Sequence, residues 1–334
     1  MKLKSAILLQ EIRNSLVELE FYGYIIFCDK NKNIHSYGET QHYPFFHRSC
    51  AKPLQASIIQ GLMTKDYYSL SEKEIAVCCA SHTGEPVHLE ILRGILKKAN
   101  LTEKDLLCPA IEPLNKEEQK KFEVYSPLHN NCSGKHTLML AICRQMGWYT
   151  KNYLDINHPL QKMIYKKIQT LCEEETELPA TLDGCGAPIW ATSLEGLTRG
   201  FYNLFCTEEY PDIKNSMQHN PYLIGGKDRP DTQIMELNQD LIAKAGAGGI
   251  LCIANTRTKE VLTVKLTAAD MRARSIIAIE TMIKLDWINK NKTDINLLDK
   301  ALNKKVLTET NRQVGEYVLC DAVGEWIKNL KQTV

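Results

Sequence analysis

Short apolar stretches separated by polar turns occur near both ends of the chain. Residues 21–27 and 34–39 predict two strands joined by a polar turn near the N-terminus. Residues 249–255 and 260–266 flank another polar turn and predict a hairpin near the C-terminus. The segment 269–287 follows this hairpin directly, and its apolar spacing predicts a long helix that packs against it.

Between these strands the apolar positions mostly follow the period of an α-helix. Pro53 has no amide hydrogen, so it fits a helix only in the first turn, which predicts a helix from near Ser49 to Gly61. Further helices are predicted over residues 89–99, 135–146, 158–175 and 231–245. We therefore expect one α/β (α+β) unit over residues 1–334, with a sheet from both chain ends and a mainly helical middle at about 50–245.

Charge and composition exclude several classes of protein. The 334 residues include 41 Lys and Arg and 40 Asp and Glu, so the formal net charge is only +1. A protein with so little net charge is predicted to bind neither nucleic acid nor a membrane surface. No apolar run reaches the roughly 18 residues that a membrane span needs. Glu11, Arg13 and Glu18 interrupt the apolar start, which is therefore not typical of a signal peptide. The 12 cysteines are irregularly spaced without a C-x-x-C pair, which indicates free thiols and a cytoplasmic protein.

The first candidate for chemistry is the pair Ser49 and Lys52 at the predicted helix start. Side chains three residues apart on a helix lie on the same side, so a neutral Lys52 amine could take the proton of Ser49. The free N–H groups of a helix start suit a developing oxyanion. The alternative is coincidence, because the S-x-x-K pattern is common in chains of this length.

Two further candidates lie far away in the sequence. Ser81 and His82 follow an apolar segment, where such polar residues also serve as ordinary turn or cap residues. Lys265 lies on a predicted strand before the long C-terminal helix, the position that the K-T-G lysine occupies in S-x-x-K enzymes. Leu266 and Thr267 follow it, so that motif is absent and a solvent-facing lysine is the alternative.

Three polar loops supply possible ligands. Cys132, His136 and Cys185 could bind zinc through thiolate and imidazole, although free thiols in turns fit the same pattern. Arg229 lies in a loop with two glycines and could bind a substrate carboxylate, or simply pair with Asp231.

Six motifs together resemble one family, the rhizobial-type (class 3) L-asparaginases, also called the asparaginase II family. They are RSCAKPLQA, ASHTGEPVH, HNNCSGKH, DGCGAP, GGKDRPDT and VKLTAADMRAR, and they follow the family's order from about residue 20 to residue 325. The resemblance implies a fold like that of serine β-lactamases and glutaminases, with an antiparallel sheet, helices packed on it and a helical part. Cys50 and Pro230 depart from the pattern that we expect of the family.

The resemblance also implies hydrolysis of L-asparagine to L-aspartate and ammonia through a Ser-Lys acyl-enzyme. It implies two catalytic pairs, Ser49 with Lys52 and Ser81 with Lys265. Zinc is the implied cofactor, and a homodimer is the implied assembly. The implied metal ligands are Cys132, Lys135 and Cys185, and the substrate-binding candidates are Arg48, His82, Asp183 and Arg229.

Several questions stay open at this stage. Either Ser49 or Ser81 could be the nucleophile, with the other relaying the proton. One alternative function is another Ser-Lys acyl-transfer reaction, in a glutaminase or a β-lactam-reactive enzyme. The other is a non-catalytic protein that binds zinc or an amide, because a fold does not by itself determine a function.

Overall fold

The computed structural model describes residues 3–40, 42–291 and 293–333. Its main sheet has eight antiparallel strands in the order β10-β11-β1-β2-β9-β8-β7, with β3 paired to β2. A small second sheet has the order β4-β6-β5. The strands are β1 (Ala6–Arg13), β2 (Leu16–Cys28), β3 (Ile34–Tyr37), β4 (Phe45–Phe46), β5 (Ala180–Leu182), β6 (Pro188–Thr192), β7 (Leu241–Gly246), β8 (Ile250–Asn255), β9 (Glu260–Leu266), β10 (Lys305–Leu307) and β11 (Gln313–Leu319).

Along the chain, most helices lie between β4 and β7. Short 3-10 turns are formed by Arg48–Cys50, Glu103–Asp105 and Pro127–His129. The helices are α1 (Ala51–Ala56), α2 (Ile58–Gly61), α3 (Thr64–Tyr68), α4 (Glu72–Cys78), α5 (Pro86–Lys98), α6 (Lys116–Gln119), α7 (Ser133–Gln145), α8 (Pro159–Cys172), α9 (Leu194–Phe205), α10 (Pro211–His219), α11 (Pro221–Ile224), α12 (Pro230–Leu237), α13 (Met271–Lys284), α14 (Ile295–Leu302) and α15 (Asp321–Thr333).

Helices cover the sheet on both sides. Every residue of β8 is buried, and α9 and α13 both pack against β8 and β9. Local signals in the sequence fix where helices begin. Ser71 and Glu74 form a reciprocal capping box at the start of α4, and the Asp270 carboxylate accepts the Ala273 N–H at the start of α13. The result is a mixed α/β fold whose sheet comes from both ends of the chain, as the sequence predicted.

One predicted helix is wrong. The helix expected over residues 231–245 ends at Leu237, and residues 241–246 form strand β7 instead. All six residues of β7 are buried, and a short, fully buried strand has no alternation that separates it from a buried helix. The small sheet also introduces strands into the middle that we expected to be mainly helical.

The other helix predictions are confirmed to within a few residues. The helix near Ser49 begins as a 3-10 turn and is interrupted at Ser57 before it ends at Gly61. All 12 cysteines are free, and all but Cys320 are buried. Among the residues described, no helix has both the length and the apolar character needed to cross a bilayer.

Candidate active site

The Arg48–Cys50 turn carries the first predicted serine at the edge of the sheet. Arg48 has a φ of +50°, a left-handed conformation that costs a non-glycine residue of order 1–3 kcal/mol and is frequent at functional sites. Its Nε donates to Asp183 Oδ1 at 2.9 Å. The Cys50 thiol donates to the Lys244 carbonyl at 3.0 Å. These contacts hold the turn, and Ser49 between them stays half-buried and accessible from the surface.

Lys52 lies one turn further along and is only 1% exposed. Its Nζ contacts two carbonyl oxygens, Ala80 O at 2.8 Å and Asn131 O at 2.9 Å, and Ser81 Oγ at 3.0 Å. A neutral amine has two hydrogens and one lone pair. An ammonium would donate to all three oxygens, whereas in the neutral amine the two carbonyls take both hydrogens and the lone pair faces the Ser81 hydroxyl.

The surroundings of Lys52 also favour its neutral form. Burial lowers the pKa of Lys52, and the positive charges of Lys244 and Lys135 act in the same direction. The Cys132 and Cys185 thiols oppose this shift without reversing it. A buried amine with a lowered pKa beside a hydroxyl is the arrangement that general-base chemistry requires.

The serine–lysine contacts differ from the pairs that we expected. Lys52 hydrogen-bonds Ser81, which is 2% exposed, rather than Ser49. Lys265 Nζ donates to Gly248 O at 2.8 Å and to Leu266 O, and no hydrogen bond joins it to Ser81 among the described residues. Burial lowers the pKa of Lys265. The structure therefore brings Lys52 and Ser81 together, while Lys265 lies in β9 and its amine contacts the turn between β7 and β8.

Both ring nitrogens of His82 have hydrogen-bond partners in neighbouring residues. Its Nδ1 accepts the Gly84 N–H at 3.1 Å, and its Nε2 lies 2.8 Å from Ser133 Oγ. The Ser133 hydroxyl donates to Leu128 O, so Nε2 carries the ring proton and donates to Ser133. Burial lowers the pKa of His82 well below its usual value, which keeps the ring neutral. Both nitrogens are occupied, so this arrangement suits a residue that positions the loop after Ser81.

Two thiols and a carboxylate meet beside Lys52. The ligand atoms of Cys132, Asp183 and Cys185 all lie within 4.8 Å of one another. Zinc–sulfur bonds of about 2.3 Å at tetrahedral angles place two sulfurs about 3.8 Å apart, so these groups fit a zinc ion after a small contraction. Lys135 is close to the same thiols. The expected ligands are thus gathered in one place, together with Asp183.

The charges around the thiols compensate one another. Burial disfavours the Lys135 cation, but the neighbouring Cys132, Cys185 and Asp183 outweigh it and raise the pKa of Lys135. Burial also opposes ionisation of Asp183, whereas Lys135 and Arg48 lower the pKa of that carboxyl below its usual value. His136, the imidazole considered as a zinc ligand, has its Nδ1 2.7 Å from Tyr153 Oη instead.

The loop that carries Arg229 is held against the Ser81 loop by a residue that the sequence did not single out. Glu85 accepts hydrogen bonds from Thr83 Oγ1 at 2.5 Å and from the Lys227 N–H at 3.0 Å. Arg229 Nε is buried and has no hydrogen-bond partner among the described residues. Asp231 pairs with Lys244 at 2.9 Å rather than with Arg229, so the simple ion pair considered from the sequence is wrong.

A surface depression opens at Arg48, the residue that precedes the half-buried Ser49. It has a volume of about 330 Å³ and is lined in part by Phe46, Arg48, Leu182 and Lys265. A cavity with two cationic and several apolar side chains suits a small anionic or zwitterionic molecule better than a polymer.

A family model described as L-asparaginase II matches residues 9–319 of this chain. The chain belongs to the L-asparaginase II family. Membership of the L-asparaginase II family makes the protein an asparaginase-type amidohydrolase that acts on a small-molecule substrate. It confirms the resemblance that the six motifs indicated.

Two other comparisons add little to the L-asparaginase II match. A search among curated proteins finds no match. One solved structure, described as a "putative beta-lactamase" from Bacteroides dorei DSM 17855, has 13% sequence identity and a TM-score of 0.39, and the match covers 77% of this chain and 92% of that chain. This likeness is too weak to support an argument about function.

Proposed function

We propose that this protein hydrolyses L-asparagine to L-aspartate and ammonia through an acyl-enzyme on Ser49. The observation that carries the proposal is the Lys52 amine, which is buried, bound by two carbonyls and 3.0 Å from the Ser81 hydroxyl. Family membership supports the amide substrate. Ser49 is the better nucleophile because it is half-buried and directly follows Arg48, which lines the surface depression, whereas Ser81 is only 2% exposed.

In the acylation step, Ser49 Oγ attacks the side-chain amide carbon of the substrate. Its proton passes to Ser81 Oγ while Ser81 gives its own proton to Lys52 Nζ. The same route then returns a proton to the departing nitrogen, so ammonia leaves and an aspartyl ester remains on Ser49. Water then attacks the ester carbonyl and gives its proton through Ser81 to Lys52, and that proton returns to Ser49 Oγ as aspartate leaves.

Backbone groups and charges would stabilise this reaction. The N–H of Ser49 has no acceptor among the described residues, so it is available to an oxyanion, while the Cys50 N–H donates to His47 O. We assign the α-carboxylate of the substrate to Arg48 and Lys265, which line the depression. Arg229 lines a second depression together with Thr83 and Lys227, so we assign it no contact with this carboxylate. Asp183, which accepts a hydrogen bond from Arg48, would bind the α-ammonium group.

We also propose that Cys132, Lys135 and Cys185 hold zinc. When bound, the metal would supply positive charge that orients the substrate and organises the pocket. Metal analysis of protein purified without chelator is the direct measurement, with Cys185→Ser as the variant. Stoichiometric zinc that is lost in Cys185→Ser supports the assignment. Full activity in protein without zinc would contradict a catalytic need for it.

The test of the function is ammonia release from L-asparagine, with L-glutamine as the comparison substrate. Ser49→Ala should be inactive and should give no aspartyl adduct in rapid-quench mass spectrometry. Ser57→Ala is a matched control at the junction of α1 and α2. The buried Ser57 hydroxyl donates to Leu54 O and has no role in the proposed reaction. Faster release from glutamine, or labelling by a fluorescent penicillin, would favour the other acyl-transfer reactions. Zinc or amide binding without turnover would favour a binding protein.

We propose a homodimer as the assembly, which light scattering of the purified protein measures directly. A monomeric mass at the concentration of the activity assay would contradict it.

A further inference from the structure

A buried ion pair lies behind the candidate active site. Lys244 in β7 and Asp231 in the first turn of α12 have side chains that are 0% exposed, and Lys244 Nζ donates to Asp231 Oδ1 at 2.9 Å. Such a pair often contributes less stability than well-packed apolar residues would, because both charges leave water. Its presence therefore calls for a reason other than stability.

The pair fixes the backbone at the end of β7. Asp231 Oδ1 also accepts the N–H of Ala245, and Lys244 Nζ donates to the Ala245 carbonyl at 3.1 Å. The N–H of Ala245 is thus bound by Asp231 and its carbonyl by Lys244. The backbone of Ala245 cannot move without breaking a buried, charge-assisted hydrogen bond.

The fixed end of β7 contacts the turn that carries Ser49. The Lys244 carbonyl accepts the Cys50 thiol at 3.0 Å, and β7 packs directly against the Arg48–Cys50 turn. Gly246 lies so close that a Cβ there would be 3.0 Å from His47 O and 3.2 Å from Cys50 Sγ. The backbone of β7 therefore forms the back wall of the Ser49 turn.

The same strand leads into the turn that holds Lys265. Arg274 Nη1 donates to Gly246 O at 2.9 Å and to Ile250 O at 3.1 Å, which fixes the turn between β7 and β8 at both ends. Within that turn, Gly248 O accepts Lys265 Nζ at 2.8 Å. Arg274 thus fixes the turn that holds the Lys265 amine, and the buried pair fixes the strand that leads into this turn.

We propose that Asp231 and Lys244 are positioning residues of the reaction, whose buried contact sets the geometry of Ser49 through β7. The inference rests on the proposed function. It predicts that loss of the pair lowers kcat without a comparable change of KM, because a displacement of about 1 Å at a reacting group can cost about 100-fold in rate. Neither residue contacts the substrate in this proposal.

The deciding variant is the double substitution Asp231→Leu with Lys244→Met, which removes both charges and fills the space with apolar groups. Urea denaturation should still show one cooperative transition, at a midpoint lowered because the Ala245 N–H loses its acceptor, while kcat for L-asparagine falls about 100-fold. Lys244→Arg, which keeps charge and donors, should recover part of the lost kcat. A folded double variant with wild-type kcat would overturn the proposal.

A second readout separates this inference from the proposed function. The rate at which a fluorophosphonate probe labels Ser49, followed by intact-protein mass spectrometry, requires no asparagine. Wild-type labelling without ammonia release would refute the proposed substrate. The pair would still be tested, because substitution of Asp231 and Lys244 must then slow the labelling of Ser49. No labelling of the wild type would overturn both proposals.

Two further variants complete the test. If the double variant does not fold, Asp231→Asn keeps an oxygen for the Ala245 N–H while removing the charge, and an undiminished labelling rate there would overturn the proposal. Asp29→Asn is the matched control, because Asp29 is 2% exposed and binds the backbone of the turn between β2 and β3, away from the site. It should lower the unfolding midpoint and leave kcat unchanged.

Discussion

Lys52 is the residue on which the proposed chemistry depends most directly. Its amine is bound on three sides by Ala80 O, Asn131 O and Ser81 Oγ, so its position and its protonation state are set together. The two carbonyls come from segments that are 28 and 79 residues away in the sequence. A change at this single side chain therefore affects the base, the hydroxyl beside it and the packing of both loops.

We predict that Lys52→Ala lowers kcat/KM by about 100- to 10,000-fold, the usual contribution of a general base. Ethylamine added to this variant should restore part of the rate, because a small amine can occupy the vacated space. Lys52→Arg should stay inactive with or without ethylamine, since a guanidinium does not lose its proton. Steady-state kinetics with and without the amine measure both effects. Lys52→Arg activity near the wild-type level would contradict a base at this position.

The pH dependence of the wild type follows from the same residue. Lys52 must be neutral to act as a base, so kcat/KM should rise with pH as the amine loses its proton. Burial lowers the pKa of Lys52, so this rise should be complete well below the ordinary lysine value of 10.5. A kcat/KM profile between pH 5 and pH 10 measures it. A rise that is completed only above pH 10 would mean that the amine is charged at neutral pH.

At the scale of elements, the site depends on how closely α7 approaches α4. Gly134 lies in the first turn of α7, and a Cβ on it would be 2.0 Å from the Val77 carbonyl oxygen of α4. The absence of a side chain there allows the start of α7, with Cys132 and Lys135, to reach the end of α4 and Ser81. Close packing of two helices thus determines whether the thiols and the Ser-Lys pair share one site.

Substitution of two helical glycines tests this approach. Gly134→Ala must displace backbone against backbone, so we expect it to lower the free energy of unfolding by about 1–3 kcal/mol and to reduce activity. Gly94→Ala in α5 is the control, since the nearest atom to its Cβ would be 3.9 Å away. It should stabilise the protein by about 0.5–1 kcal/mol, because alanine favours a helix. Urea denaturation and ammonia release compare the two variants.

At the scale of the whole molecule, the fold buries several histidines, and burial outweighs the one charged neighbour, Glu85 beside His88. Burial lowers the pKa of His47 to about 3 and that of His88 to about 4. His88 is buried between the rings of His82 and Tyr222. These rings stay neutral in the folded protein at a pH where an unfolded chain would protonate them.

We therefore predict that stability falls as the medium becomes acidic. Below the unfolded histidine pKa of about 6.5 the unfolded state binds more protons, so the free energy of unfolding decreases as pH falls towards 4. Each buried histidine contributes at most about 1.4 kcal/mol per pH unit. His88→Phe should reduce this slope, whereas His219→Gln, at an exposed position, should not. Urea denaturation at pH 7.5, 6 and 5 gives the slopes, and equal slopes for wild type and His88→Phe would contradict the prediction.

The sequence by itself determined the local features of this protein. The helices around residues 89–99, 135–146 and 269–287 and the C-terminal hairpin follow from short-range periodicity, turn residues and caps. The six motifs in order identified the family that the chain belongs to. These signals are encoded within a few neighbouring residues, so no tertiary contact is needed to read them.

Only the tertiary structure decided which of these residues meet. It paired Lys52 with Ser81 instead of Ser49, and Asp231 with Lys244 instead of Arg229. It also made β7 a strand where the pattern favoured a helix, because hydrogen bonds from β8 complete its backbone. Each of these contacts joins segments far apart in the chain. Their energies depend on packing and burial that no local pattern contains.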